Sequence, residues 1–189
     1  MKNIDVQPIR NKKQLKNFLE LLKTSSKHGE RNRLLFEIGL NTGLKVSDLV
    51  KLKTTDVFDH NSLTIYDKSG RLRNVSLNSV LKMLKQYQAI LKEKYKGSKW
   101  LFPSSTNLDE YLTEKAYYKI THQCGEYLGK NYIGTNTIRK TFGYHFNMQT
   151  KDIVQLMNIL NYSSQKKTLQ YIGLSEEATR ASLKDFKLF

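Results

Sequence analysis

Four side chains in the sequence are of the types needed for chemistry on a phosphate ester. Arg139 precedes Tyr171 by 32 residues, and Lys45 and Lys68 lie in the first half of the chain. The planar fork of an arginine binds two oxygens of one anion, whereas a lysine supplies a point charge or a proton. A tyrosine oxygen can attack phosphorus and form a covalent ester. Fixed cationic donors are needed as well, because attack increases the negative charge on the phosphate oxygens.

These residues occur in three segments whose order along the chain is informative. The first is TGLKVSDLVKLKTTDV (42–57), the second is DKSGRLRNVSL (67–77), and the third runs from IGTNTIRKTFGYHF (133–146) to LNYSSQKKTLQYIGLS (160–175). In this order they resemble the first arginine box, the hairpin and the second arginine box of the phage-integrase family of tyrosine recombinases. The resemblance covers nearly the whole chain. It implies the fold of a tyrosine-recombinase catalytic domain and site-specific recombination or integration of DNA, as in mobile elements.

The resemblance also implies roles for individual side chains. Tyr171 would be the nucleophile that forms a phosphotyrosine, Arg139 the arginine of the second box, and Lys68 the general acid that protonates the departing sugar oxygen. Asp48 matches an acidic position that supports the first box. Because a phosphotyrosine ester retains the energy of the broken bond, the strand can be rejoined without ATP or a metal ion, and no cofactor is expected.

Three positions depart from the family pattern. Lys45 stands at the first-box arginine, Asn136 at a histidine or lysine, and Tyr162 at a histidine or tryptophan before the paired serines. Lys45 keeps a charge but loses the two-pronged contact of an arginine. Asn136 can donate a hydrogen bond but cannot shuttle a proton near neutral pH, and Tyr162 can donate through its hydroxyl. All three are included among the expected catalytic residues, and the change at Lys45 in particular predicts weakened activity.

Two interpretations of the function stay open at this point. The first is an active recombinase; the second is a catalytically weakened DNA-binding relative that acts as an accessory or regulatory protein. A basic helical protein with accidental motifs is disfavoured, since three motifs occur in order. Single residues also have plainer interpretations, because Tyr171 is one of eleven tyrosines and Arg139 alone would suit a surface ion pair. The hairpin arginines, Arg71 and Arg73, could bind phosphate in place of Lys68.

Composition favours a nucleic-acid partner over a membrane. The 189 residues carry a net charge of +15 and a pI near 9.8, and 39% of them are hydrophobic, enough for a core. Such a chain attracts polyanions, and double-stranded DNA is the expected partner. No apolar run approaches the ~20 residues of a membrane span, and the N-terminus lacks the apolar core of a signal peptide.

Cys124 is the single cysteine, which suits a reducing cytoplasm, and the scattered histidines predict no metal site.

Hydrophobic spacing predicts a mostly α fold with one small antiparallel β-sheet. The strands are 62–66 and 71–77, joined by a Ser-Gly turn. Gly43 is expected in a left-handed or close-packed position, Ser47 is expected to cap a helix that continues to Leu52, and Asn78 to cap the next long helix. The predicted helices are 11–24, 30–40, 47–52, 78–95, 113–128, 135–149, 151–160, 164–172 and 175–187.

We expect a single catalytic, integrase-like domain over residues 1–189, without the N-terminal helical domain that clamps the opposite face of DNA in family members. The chain would then be a naturally short member or an excised fragment.

The segment 176–189 predicts a short amphipathic helix. By resemblance this helix docks on a neighbouring protomer and links a homo-oligomer on DNA; docking on its own domain is the alternative. Basic runs that could contact phosphates are 10–13, 71–73, 92–99 and 166–167.

Overall fold

Helices dominate the computed structural model, which describes residues 5–66, 70 and 72–174. The strands in these ranges form one two-stranded antiparallel sheet, so the predicted mostly α fold with a small sheet is confirmed. Across the same ranges no helix is both long and apolar enough to cross a lipid bilayer. The predicted helix 175–187 lies outside the described residues. In chain order the elements are α1 (Lys12–Thr24), α2 (Gly29–Thr42), α3 (Val46–Leu49), α4 (Thr54–Val57), β1 (Ser62–Tyr66), β2 (Leu72–Ser76), α5 (Leu81–Lys94), α6 (Glu114–Tyr127), α7 (Thr137–Thr150), α8 (Ile153–Leu160) and α9 (Gln165–Tyr171).

Helix α2 forms the centre of the main core. It packs against α1, α5 and α7, and Leu35, Phe36 and Ile38 are fully buried along it. Gly39 permits a close approach, because a Cβ atom at this position would lie 2.4 Å from Cγ2 of Ile138 on α7. Since packed helices resist displacement, this contact sets the distance between α2 and the first turn of α7.

The hairpin expected at 62–77 is confirmed. Strands β1 and β2 are antiparallel, and their register pairs Leu63 with Val75. Both side chains are buried and join the core, as the alternation of a half-buried sheet requires. Lys68 comes between the two strands in the sequence, and residues 67–69 and 71 lie outside the described part of the chain.

The expected helix 47–52 is wrong in both its start and its end. Ser47 lies inside α3, for which Lys45 is the N-cap, and the helix ends at Leu49. Beyond that point the amide of Leu52 donates to the carbonyl of Leu49, three residues back, at 3.2 Å. The α-helical pattern therefore gives way to a tighter turn before Leu52.

The expected N-cap at Asn78 is also wrong. The amide of Asn78 donates to the hydroxyl of Ser76 at 3.3 Å, and the amide of Val80 donates to the carbonyl of Leu77 at 2.9 Å. These bonds form a turn after β2, so α5 begins only at Leu81, with Val80 as its N-cap.

A smaller apolar cluster joins α7, α8 and the end of α9. Its buried members are Phe142, Leu156, Leu160 and Ile172. Gly143 lets Ile172 approach α7, because a Cβ atom at Gly143 would lie 2.6 Å from Cγ2 of Ile172. This packing holds the C-terminal end of α9 against α7.

Gly43 ends α2 in the left-handed conformation (φ 67°), as expected from the sequence. A Cβ atom there would lie 2.5 Å from the ring of Phe142. We predict that Gly43→Ala lowers the free energy of unfolding by about 2–5 kcal/mol, since it adds backbone strain and displaces the Phe142 ring. Urea denaturation followed by circular dichroism measures the loss.

Gly129 provides a matched control for this prediction. It has the same φ, 67°, but a Cβ atom there would meet nothing within 4 Å. Gly129→Ala should therefore cost only the backbone strain, about 1–2 kcal/mol. Equal losses for the two variants would show that the Phe142 contact contributes nothing.

Candidate active site

A surface pocket of about 370 Å³ lies where residues of α3, the first turn of α7 and the end of α9 meet. The structure brings together five of the six catalytic candidates chosen from the sequence, and all five line this pocket. The sixth candidate, Lys68, lies outside the described residues, so its place at the site stays a prediction. The five are Lys45, Asn136, Arg139, Tyr162 and Tyr171.

Arg139 is the buried charge of the pocket, with 4% of its surface exposed. One terminal nitrogen donates to the carbonyl oxygen of Gly43, and the other donates to the carbonyl oxygen of Leu160 at 2.8 Å. A buried charge needs such partners, because it has lost its hydration. Both acceptors are neutral, so these two contacts orient the guanidinium without cancelling its charge. The pocket thus contains a fixed cationic donor of the kind that stabilises a developing anion.

The Gly-Leu-Lys turn at 43–45 connects the first box to Arg139. Left-handed Gly43 ends α2, and its carbonyl accepts from the Arg139 guanidinium. Leu44 is fully buried and anchors the turn in the core. Lys45 follows as the N-cap of α3, and its exposed side chain lines the pocket. The backbone therefore fixes where Lys45 leaves the chain, while the flexible stem lets its ammonium reach a bound anion.

Tyr171 is the last residue of α9 and is half-buried. Burial raises the pKa of its phenol to about 12, while the charge of Arg139 opposes that rise. Its ring contacts that of Tyr162, with centroids 5.2 Å apart, and the Lys140 ammonium lies over it, 5.4 Å from the centroid. The hydroxyl is therefore protonated at neutral pH, and the charge of Arg139 can stabilise a phenolate.

Tyr162 and Asn136 add neutral polar groups to the pocket. Tyr162 follows Asn161, whose left-handed conformation (φ 55°) ends α8. Burial raises the pKa of Tyr162, with Arg139 opposing the rise, so its hydroxyl stays a hydrogen-bond donor at physiological pH. Asn136 is the N-cap residue of α7, but its side chain makes no capping hydrogen bond. Its amide is therefore not used to satisfy the helix end.

Glu114 is a pocket residue that sequence reasoning missed. It is the first residue of α6, after the N-cap Thr113, and it lines the pocket with Ser47 and Thr135. Its local sequence indicates only the start of a helix, and tertiary packing alone brings it to the other residues. Asp48, expected to support the first box, accepts a hydrogen bond from the hydroxyl of Ser47 at 3.3 Å. It is not among the described residues that line the pocket, and its supporting role stays a prediction.

Similarity to known proteins establishes the family. A sequence profile described as "Phage integrase family" matches residues 10–178. The chain belongs to the phage integrase family. It is also 35% identical over 181 residues to "Probable integrase/recombinase YoeC" of Bacillus subtilis (strain 168), covering 96% of this chain and 97% of that one. The predicted family is confirmed, and with it the enzyme class, tyrosine-type DNA recombinases.

Several of the proteins that this chain matches are longer than it is. "Tyrosine recombinase XerC" of Roseiflexus castenholzii is 26% identical over 173 residues, which are 88% of this chain and 55% of the relative. A crystal structure of the XerH site-specific recombinase bound to palindromic difH substrate matches with a TM-score of 0.72 and 22% identity, covering 98% of this chain and 54% of that chain. The XerA recombinase matches with a TM-score of 0.71 and 19% identity, covering 99% and 66%. These structures confirm the expected catalytic-domain fold, and this integrase-family chain spans about half the length of the XerC and XerH chains.

We predict that Tyr171 of this integrase-family protein titrates near its pKa of about 12. The difference in tyrosinate absorbance between the native chain and Tyr171→Phe, followed as pH rises, isolates this phenol. In the unfolded chain the pKa of this phenol is about 10. The contribution of its protonation to the free energy of unfolding is therefore fully present below a pH of about 10 and is lost as the pH rises towards the folded value. Arg139→Gln removes the favourable charge and should move the titration higher. A native midpoint near 10 would contradict the buried position of the phenol.

Proposed function

We propose that this protein cuts and rejoins double-stranded DNA at specific sites through a covalent phosphotyrosine at Tyr171. The observation that carries the proposal is that Tyr171 lies in one pocket with Arg139, whose guanidinium is held in place by two backbone carbonyls. Membership of the phage integrase family supports the proposal. DNA as substrate is supported by the structural relatives, since XerH is bound to difH and the Tn1549 transposon integrase to transposon right end DNA.

In the proposed first step the phenol oxygen of Tyr171 attacks phosphorus, and the bond from phosphorus to one bridging sugar oxygen breaks. The phenol loses its proton to water in the open pocket, and the departing sugar oxygen takes up a proton from Lys68. Rejoining reverses the step: a sugar hydroxyl attacks the phosphotyrosine, and Tyr171 leaves. The intermediate ester retains the energy of the original bond, so this chemistry consumes no nucleotide.

The other pocket residues are proposed to stabilise the pentavalent transition state. Arg139 and Lys45 bind non-bridging oxygens, whose negative charge increases during attack. Asn136 and Tyr162 supply neutral hydrogen-bond donors. Lys45 contributes one point charge where the family pattern has a planar fork, which reduces the stabilisation without removing the charge.

The proposal includes assembly on DNA. Strand exchange joins two duplexes, so several protomers must act together. The C-terminal segment 176–189, which lies outside the described residues, is the proposed link between protomers. Because the substrate is cellular or mobile-element DNA and Cys124 is the single cysteine, we also propose a cytoplasmic location.

The first test is covalent capture. On a pool of short nicked duplexes of randomised sequence, cleavage releases a fragment, so the covalent complex accumulates and can be detected on a denaturing gel. The native chain should form this complex and Tyr171→Phe should not, because it lacks the attacking oxygen. Tyr127→Phe is the matched control, since Tyr127 is 80% exposed and lies on α6. Capture by Tyr171→Phe would assign the nucleophile elsewhere.

The second test restores the residues of the family pattern at the three altered positions. Lys45→Arg should raise the single-turnover rate of cleavage by about tenfold, or ~1.4 kcal/mol in the barrier, because it restores two parallel donors to the phosphate. Asn136→His and Tyr162→His should give smaller gains, since they assist proton transfer. Lys51→Arg makes the same change at an exposed lysine of the same segment and should leave the rate unchanged.

The outcomes of this repair separate the two functional interpretations. An unchanged rate in Lys45→Arg would show that Lys45 already serves as a full substitute for arginine. If the native chain and all repaired variants bind the nicked duplexes without cleaving them, an accessory DNA-binding role replaces the enzymatic one.

A further inference from the structure

Residues 5–10, here named the N-terminal strap, lie along one face of α7. The amide of Ile9 donates to the hydroxyl of Thr141 at 2.9 Å, and the carbonyl of Ile9 accepts from Nε2 of His145 at 3.0 Å. The carbonyl of Val6 accepts from the Lys140 ammonium at 2.6 Å. Ile9 itself is fully buried. The strap is thus attached to α7 by a series of specific contacts.

Arg10 extends the strap to the end of α9. Its Nη2 atom donates to the carbonyl of Gly173 at 3.0 Å and to the side chain of Gln7 at 3.2 Å, and its guanidinium lies 5.7 Å from the centroid of Tyr144 on α7. Gly173 follows Tyr171 by two residues and is left-handed (φ 76°), and a Cβ atom there would lie 2.6 Å from Nη2 of Arg10. Arg10 therefore bridges α7 and the segment that ends α9, a role beyond the phosphate contact expected for the run 10–13.

Lys140 makes the second link between the strap and Tyr171. Its ammonium is held by the Val6 carbonyl and lies over the Tyr171 ring. The preceding residue, Arg139, lines the same pocket as this tyrosine, and its charge opposes the rise in the pKa of the phenol. Two consecutive residues of α7 therefore act on the nucleophile: Arg139 acts through its charge, and Lys140 lies over the ring and is held by the strap.

We infer that the N-terminal strap is a positioning element for the nucleophile: Arg10 anchors the end of α9 through Gly173, and Val6 holds Lys140 over the Tyr171 ring. The inference rests on the proposed function, in which Tyr171 attacks phosphorus. Helix α9 has only seven residues, too few to be stable without tertiary contacts. Displacement of an attacking atom by about 1 Å can cost on the order of a hundredfold in rate. Arg10 and Lys140 are positioning residues, because they act through α9 and the Tyr171 ring.

The kinetic test uses Arg10→Ala and Lys140→Ala on the same pool of nicked duplexes. Each variant should form the covalent complex about two- to tenfold more slowly at saturating DNA, the range expected for one lost hydrogen bond. The DNA concentration that gives half the maximal rate should match that of the control. Arg10→Lys keeps a cationic donor for the Gly173 carbonyl and should recover most of the rate. The control is Lys85→Ala, which removes one positive charge from an exposed position of α5.

A second measurement needs neither DNA nor catalysis. The tyrosinate titration of Tyr171, recorded as a difference against the matching Tyr171→Phe variant, should move from about 12 in the native chain towards 10 in Arg10→Ala. A loosened α9 exposes the phenol to water, and exposure removes the cost of ionising it. Lys85→Ala should leave the titration unchanged.

The two measurements distinguish failure of this inference from failure of the proposed function. Absence of any Tyr171-dependent covalent complex in the native chain defeats the proposed function, while the titration still tests the strap. If the complex forms but Arg10→Ala and Lys140→Ala match Lys85→Ala in both rate and titration, the strap does not position Tyr171. Should Arg10→Ala fail to fold, Arg10→Lys and Lys140→Ala decide the question by the same two measurements.

Discussion

The guanidinium of Arg139 carries a full charge with only 4% of its surface exposed, so the fold must replace the water it has lost. The replacements are the carbonyl of Gly43 after α2 and the carbonyl of Leu160 at the end of α8. The same guanidinium lines the pocket with Tyr171 at the end of α9, and its charge opposes the rise in the pKa of that phenol. Satisfying one buried charge therefore holds two helix ends together, and a planar fork can do this where a single ammonium cannot.

The same physical argument explains why lysine can replace arginine at position 45 but is not expected at position 139. Lys45 is exposed, so its ammonium stays hydrated and replaces an arginine without leaving buried carbonyls unpaired. Arg139 has to satisfy acceptors as well as bind an anion, and lysine at that position would leave one carbonyl without its donor. The site thus combines a rigid, buried cation with a flexible, solvated one.

Sequence patterns predicted those features that depend on neighbouring residues. Alternation predicted the hairpin, helical spacing predicted most helices, and the left-handed turn at Gly43 followed from the absence of a Cβ atom. The N-caps expected at Ser47 and Asn78 were chosen because serine and asparagine are common at N-caps, and both predictions are wrong. In both places backbone turns decide where the helix begins, and residue type does not reveal those turns.

The residues of the candidate site likewise differ in whether the sequence alone could identify them. The resemblance of the sequence motifs to those of the family was enough to select Lys45, Asn136, Arg139, Tyr162 and Tyr171, and all five line the pocket. Only the tertiary structure brought Glu114 to the pocket, the strap onto α7, and burial to the phenol of Tyr171. Each of these depends on surfaces from distant parts of the chain, and burial and electrostatic environment exist only once those surfaces have packed together.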